Sequence, residues 1–124
     1  PDKTFCTVYD TVLRAQQAAF AGIAAGANTQ QIDAAARDLI MQAGYGDCFG
    51  HGLGHSLGLE IHEWPAFNPR TSVPLPRHAI MTVEPGIYLP GKFGVRIEDM
   101  VVVEKDGYRN LTTAPTKLIS LPIK

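Results

Sequence analysis

The chain of 124 residues predicts an α+β domain in which two helices pack on an antiparallel sheet. Two observations carry that expectation. Apolar residues recur at helical spacing through the first third of the chain, and a long alternating segment folds back on itself around a Pro-Gly turn in the last third. A chain that is 45% hydrophobic and 19% charged can close one core, and it is too short for two domains.

The first helix is expected from about Thr4 to Ala25, where Val8, Val12, Ala15, Ala19 and Ile23 fall at steps of four and three. Gly22 and Gly26 weaken its end, and a new N-cap is expected at Asn28 or Thr29. Ile32, Ala35, Ala36, Leu39, Ile40 and Ala43 then mark a second amphipathic helix, with Gly44 as its stop. In the following stretch, Gly50, Gly52, Gly54 and Gly58 make a helix costly, so an extended and bulged segment is expected. Residues 64 to 77 contain Pro65, Pro69, Pro74 and Pro76 and predict a loop or lid. The tail from Asn110 to Lys124 is read as a short extended segment covering an edge.

Residues 80 to 103 carry the most information. A hairpin symmetric about Gly91 sets Glu84 opposite Glu98. Alternation then gives one wholly apolar face: Met81, Val83, Ile87, Leu89, Val95, Ile97, Val101 and Val103. The other face carries Thr82, Glu84, Tyr88, Arg96, Glu98 and Met100. Opposed carboxylates repel, so the Glu pair needs a reason. A shared proton, neutralisation by Arg96, or one or two divalent cations would each supply it, as would a solvated pair loosely bridged to Arg96. Upstream, His51, His55 and His62 lie within twelve residues among glycines. In one regular strand His62 would point away from the other two unless the Gly58 region bulges or turns. Imidazoles with carboxylates and no thiolates suit Mn, Co, Zn or Fe(II) in a catalytic rather than a structural site.

Other classes are excluded on simpler grounds. Eleven basic against twelve acidic residues leave no footprint for nucleic acid or an anionic membrane. No apolar run reaches the roughly 18 residues of a spanning helix. Cys6 and Cys48 form no C-x-x-C pair and are too few for a disulfide framework, so a cytoplasmic location is expected. The chain starts at Pro1 and enters a helix within about five residues, which suggests a piece of a longer polypeptide.

The segments HGLGHSLGLEIHEWP (51–65), MTVEPGIY (81–88) and GVRIEDMVVV (94–103) closely resemble the Xaa-Pro aminopeptidases and prolidases, the pita-bread metallopeptidases of the creatinase/aminopeptidase family. The resemblance implies that residues 1–124 are the C-terminal portion of the catalytic domain, roughly the second half of the pita-bread fold. It implies metal ligands at His55, Glu84 and Glu98, with Glu84 also the general base and Glu98 the carboxylate that bridges two divalent cations (Mn, Co or Zn). His62 resembles the histidine that hydrogen-bonds substrate and stabilises the tetrahedral intermediate. His51 matches a substrate-pocket histidine, and Arg96 an arginine that orients the network.

The implied substrates are peptides with proline in the second position, and the implied assembly is a homodimer. In the family two Asp ligands come from a hairpin ahead of the first helix, and neither Asp2 nor Asp10 matches that context. The isolated chain is therefore expected to be inactive or nearly so. Two alternatives stand beside the peptidase: a metal-free creatinase-like hydrolase, and a non-catalytic module that binds peptides or proteins. Tyr88 and Trp64 are candidates to line the pocket, and Glu63 to orient His62 or face solvent.

Overall fold

A computed structural model describes residues 1–122; Ile123 and Lys124, the end of the expected tail segment, lie outside the described residues. Helix α1 spans Lys3–Phe20, and Asp2 caps it by accepting from the Phe5 amide at 2.7 Å. The helix ends five residues short of the expected point. With Gly22 and Gly26 close behind, Ile23 enters the core from the connecting turn instead. Helix α2 spans Thr29–Gln42 and is capped by Asn28, which accepts from Gln30 and Gln31. Gly44, at φ 87°, supplies the left-handed residue that stops it. Thr29 is not the cap: its fully buried hydroxyl bonds to Thr71 and Val73.

Seven strands follow among the described residues, all paired antiparallel: β1 Gly54–Ser56, β2 Glu63–Phe67, β3 Ile80–Val83, β4 Gly86–Leu89, β5 Phe93–Arg96, β6 Asp99–Glu104 and β7 Gly107–Asn110. Five form a sheet in the order β2-β1-β3-β6-β7, and β4 with β5 forms a separate ribbon. The predicted register holds through both parts. Ile80 faces Val102, Val83 faces Asp99 and Gly86 faces Arg96, all symmetric about Gly91. The ladder breaks only where Glu84 and Pro85 face Ile97 and Glu98.

The core sits between the helices and the apolar hairpin face. Val8, Val12, Ala15 and Ala19 from α1 and Ile32, Ala36 and Ile40 from α2 join Met81, Val83, Ile87, Val95, Ile97, Val101 and Val103. Leu89 is only partly buried against it.

Two expectations are corrected. Residues 63–67 form an edge strand despite Pro65, because a proline at the sheet edge leaves no ladder bond unmade. The rest of the proline-rich stretch is no lid: Leu75 exchanges backbone bonds with Gly26 and Ala27, and Asn28 bridges to Pro74, so it is stapled to the turn between the helices. Strand β7, which returns through Lys105 and Asp106, is not foreseen in the sequence. The tail beyond it follows β6, with Leu111 donating to Met100, and reaches Tyr9, whose hydroxyl donates to Thr116. Among the described residues no helix is long and apolar enough to cross a membrane.

Candidate active site

His51, His55, His62, Glu84, Arg96 and Glu98 all line one cleft of about 1240 Å³ on the polar side of the sheet. Three devices gather them. The first is a register shift between His55 and Ser56, where β2 inserts Trp64 and Pro65 with a cis bond between them. The chain then turns through residues 57–62 and brings the His62 ring to 4.3 Å from that of His55. Glu63 closes this turn by accepting from the Glu60 amide at 3.0 Å.

The second device is close approach at Gly54, where any Cβ would collide with the Thr82 carbonyl. That closeness lets Thr82 link neighbouring strands: its hydroxyl accepts from the His55 amide at 3.0 Å and donates to Glu84 Oε1 at 2.9 Å. The Glu84 amide donates to Leu53 at 2.8 Å, which fixes its backbone on the same side.

The third is an ion pair unforeseen in the sequence. Asp33, almost fully buried on α2, receives Arg37 Nε at 2.8 Å and the Leu53 amide at 3.0 Å. Arg37 also donates to the carbonyls of Phe49 and His51, which ties the histidine-bearing segment to α2. The available signal was a charged pair four residues apart with its acid inside the apolar stripe.

Around His55 and Glu84 the donor chemistry is specific. His55 Nδ1 lies 3.0 Å from the Ser56 carbonyl, which only accepts, so the ring hydrogen sits on Nδ1. Nε2 then faces Glu84 Oε1 at 3.2 Å. A lone pair against a carboxylate is unfavourable without a proton or a cation between them. With bonds of about 2.1 Å to nitrogen and oxygen, 3.2 Å is also the separation of two neighbouring ligands on one cation. A histidine whose other nitrogen donates to a backbone carbonyl is a common arrangement in metal sites. The two residues fit a divalent cation.

Glu98 stands opposite Glu84 in register but is exposed, and among the described residues no three His, Cys, Asp or Glu side chains converge on one point. Glu84 is turned toward Thr82 and His55. Arg96 lies on the same face, 3.7 Å from Glu84 Oε2, and donates to Tyr88 at 2.7 Å. The Tyr88 hydrogen bond holds its guanidinium above the ordinary arginine value, partial burial opposes this, and Glu84 and Glu98 add to the rise. Tyr88 in turn meets His51. Trp64 is exposed and outside the cleft lining.

Two helices on an antiparallel sheet, with a histidine and a carboxylate meeting on its open face, have the arrangement of the pita-bread metallopeptidases. The sequence profile of metallopeptidase family M24 matches residues 1–105, and the chain belongs to that family. It is 40% identical over 119 residues to the Xaa-Pro dipeptidase of Pyrococcus furiosus, covering 96% of this chain and 34% of that protein. Its fold superimposes on an Xaa-Pro dipeptidase from Bacillus anthracis with a TM-score of 0.95 at 45% identity, over 98% of this chain and 34% of that one. For the X-Pro aminopeptidase from Thermotoga maritima the TM-score is 0.91 at 47% identity, over 94% and 33%. The chain thus spans about a third of the length of its relatives.

Proposed function

We propose that the intact protein carrying this chain is a divalent-cation-dependent exopeptidase that hydrolyses the bond before a proline in the second position. Residues 1–124 would be the C-terminal portion of its catalytic domain, completed by two upstream Asp ligands. The observation that carries this reading is His55 Nε2 at 3.2 Å from Glu84 Oε1 with Nδ1 already engaged. The names of the similar proteins, Xaa-Pro dipeptidase and X-Pro aminopeptidase, support the substrate class.

His55 and Glu84, with Glu98 on the same cleft, would hold the divalent cations. When bound, such ions polarise the scissile carbonyl and activate water. Glu84 Oε1 is held by Thr82, which leaves Oε2 as the atom to collect a proton from the attacking water. Exposed His62, beside His55, is free to donate to the carbonyl oxygen as charge develops there. His51 would contact the proline side, and Arg96 keeps its charge to orient Glu84 and Tyr88. Leu57 and Ile61 give the cleft an apolar wall for the substrate side chain. Cys6 and Cys48 remain unpaired, in keeping with a cytoplasmic protein, which this reading makes a homodimer.

The test is calorimetric titration with Mn²⁺ together with hydrolysis of an Xaa-Pro dipeptide and a longer Xaa-Pro peptide. The intact protein binds two cations and cleaves at least one substrate. His55→Ala and Glu84→Gln each lower the rate by about a hundredfold or more. The 124-residue chain alone is inactive or nearly so. An intact protein that binds no divalent cation would instead be a binding module of this fold; one that cleaves without any cation would be creatinase-like.

A further inference from the structure

We propose that Gln16, buried on α1 behind the sheet, is a positioning residue that sets the separation of the two cleft carboxylates, Glu84 and Glu98; this rests on the cation-dependent reading above. In an antiparallel ladder alternate facing pairs exchange two backbone hydrogen bonds. In this register Val103 donates to Ala79 at 2.9 Å, with the return bond to the Val103 carbonyl coming from His78, and six residues on Ile97 donates to Pro85 at 3.4 Å. Proline has no N–H to return the bond. The Ile97 carbonyl, on a residue only 7% exposed, loses its ladder donor just where the sheet splits into two.

Gln16 supplies what Pro85 cannot. Its Nε2 donates to the Ile97 carbonyl at 3.3 Å and to the Val83 carbonyl at 3.2 Å, one hydrogen for each, on a side chain 1% exposed. The Val83 carbonyl belongs to the peptide unit that carries the Glu84 nitrogen, and the Ile97 carbonyl to the unit that carries the Glu98 nitrogen. A single amide therefore ties together the two backbone units from which the carboxylates project. Leu53 anchors the Glu84 unit from the other edge. Gln16 also lies within the apolar stripe of α1 between Val12 and Ala19, where only a specific pair of acceptors offsets the cost of burying an amide. Without it both units can tilt, and two carboxylates that must meet the same ions lose their preset spacing.

The experiment measures Mn²⁺ affinity by calorimetry in the intact protein for Gln16→Met, which keeps the volume and removes the donor. Thr29→Val is the matched control, because it too removes a buried group making two hydrogen bonds, at the turn before α2. Gln16→Met is expected to weaken cation binding about tenfold, while Thr29→Val stays within about twofold at a similar loss of melting temperature. Equal affinities in the two variants overturn the proposal. If Gln16→Met does not fold, the unmodified protein decides. Saturation with Zn²⁺ should shift the side-chain amide resonances of Gln16 and leave those of the exposed Gln31 and Gln42 in place, and an unmoved Gln16 signal overturns the proposal. An unmodified protein that binds no divalent cation refutes the functional reading itself and this inference with it; normal binding with an indifferent Gln16 refutes the inference alone.

Discussion

The Tyr88 hydroxyl lies 2.8 Å from Nε2 of His51 and 2.7 Å from Nε of Arg96. The direction of both bonds is set by chemistry. Arginine only donates, and His51 commits its Nδ1 hydrogen to the Gly52 carbonyl at 2.7 Å, so the phenol accepts from Arg96 and donates to His51. The ring lies flat over Gly86 and Gly94, where any Cβ would strike it. Tyr88→Phe keeps the ring and removes both bonds. It is expected to cost about 1–2 kcal/mol in urea unfolding. If the intact protein is the proposed peptidase, it should lower kcat/KM about tenfold, chiefly through KM, because the proposed proline-side histidine loses its orientation. A stability loss with unchanged kinetics would count against an orienting role.

Arg37 and Asp33 make a stronger prediction about folding. The Asp33 carboxylate is 1% exposed and takes donors from Arg37 and Leu53. Removing Arg37 leaves a buried charge with only a backbone amide for a partner. Arg37→Ala is expected to destabilise the chain by about 3 kcal/mol, measured by denaturant unfolding. Hydrogen exchange should localise the effect: the Leu53 amide and its neighbours accelerate, while the amides of β6 follow only the global change. Uniform acceleration would show that the pair does not specifically hold the 49–53 segment.

What the sequence disclosed follows from how local each signal is. The register about Gly91 was legible because a Pro-Gly turn and strict alternation on both arms admit one apolar face, and a one-residue slip would have exposed all of it. The helix stripes were legible because their spacing is local too, and the second cap was narrowed to Asn28 or Thr29, of which the structure uses Asn28. Strand β2 was not, since Pro65 reads as a breaker unless one knows that it sits at an edge. The meeting of His62 with His55 depends on a register shift and a turn whose geometry comes from Glu63 and the neighbouring strand, so spacing alone left it open. Gln16 and Asp33 are polar residues inside apolar stripes. The Gln16 partners are backbone carbonyls far along the chain, which no local pattern reveals; for Asp33 the i,i+4 spacing to Arg37 was visible, while its bond to the Leu53 amide was not.

Thr82 sits at the junction of these elements. At 4% exposure its hydroxyl has no solvent partner to fall back on, and it serves two strands at once, accepting from the His55 amide and donating to Glu84 Oε1. It thereby sets both members of the pair proposed to hold a cation. Thr82→Val preserves shape and β-branching while removing the oxygen, so the His55 amide and the carboxylate each lose a partner. The expected cost is about 1–2 kcal/mol of stability and about a tenfold to hundredfold loss of divalent-cation affinity in the intact protein. Thr82→Ser, which retains the hydroxyl and drops only the methyl, should recover most of the affinity while losing some packing energy. Calorimetric titration beside urea unfolding separates the two effects. Valine and serine variants that bind the cation equally well would mean that the hydroxyl holds strands together without setting the ligands.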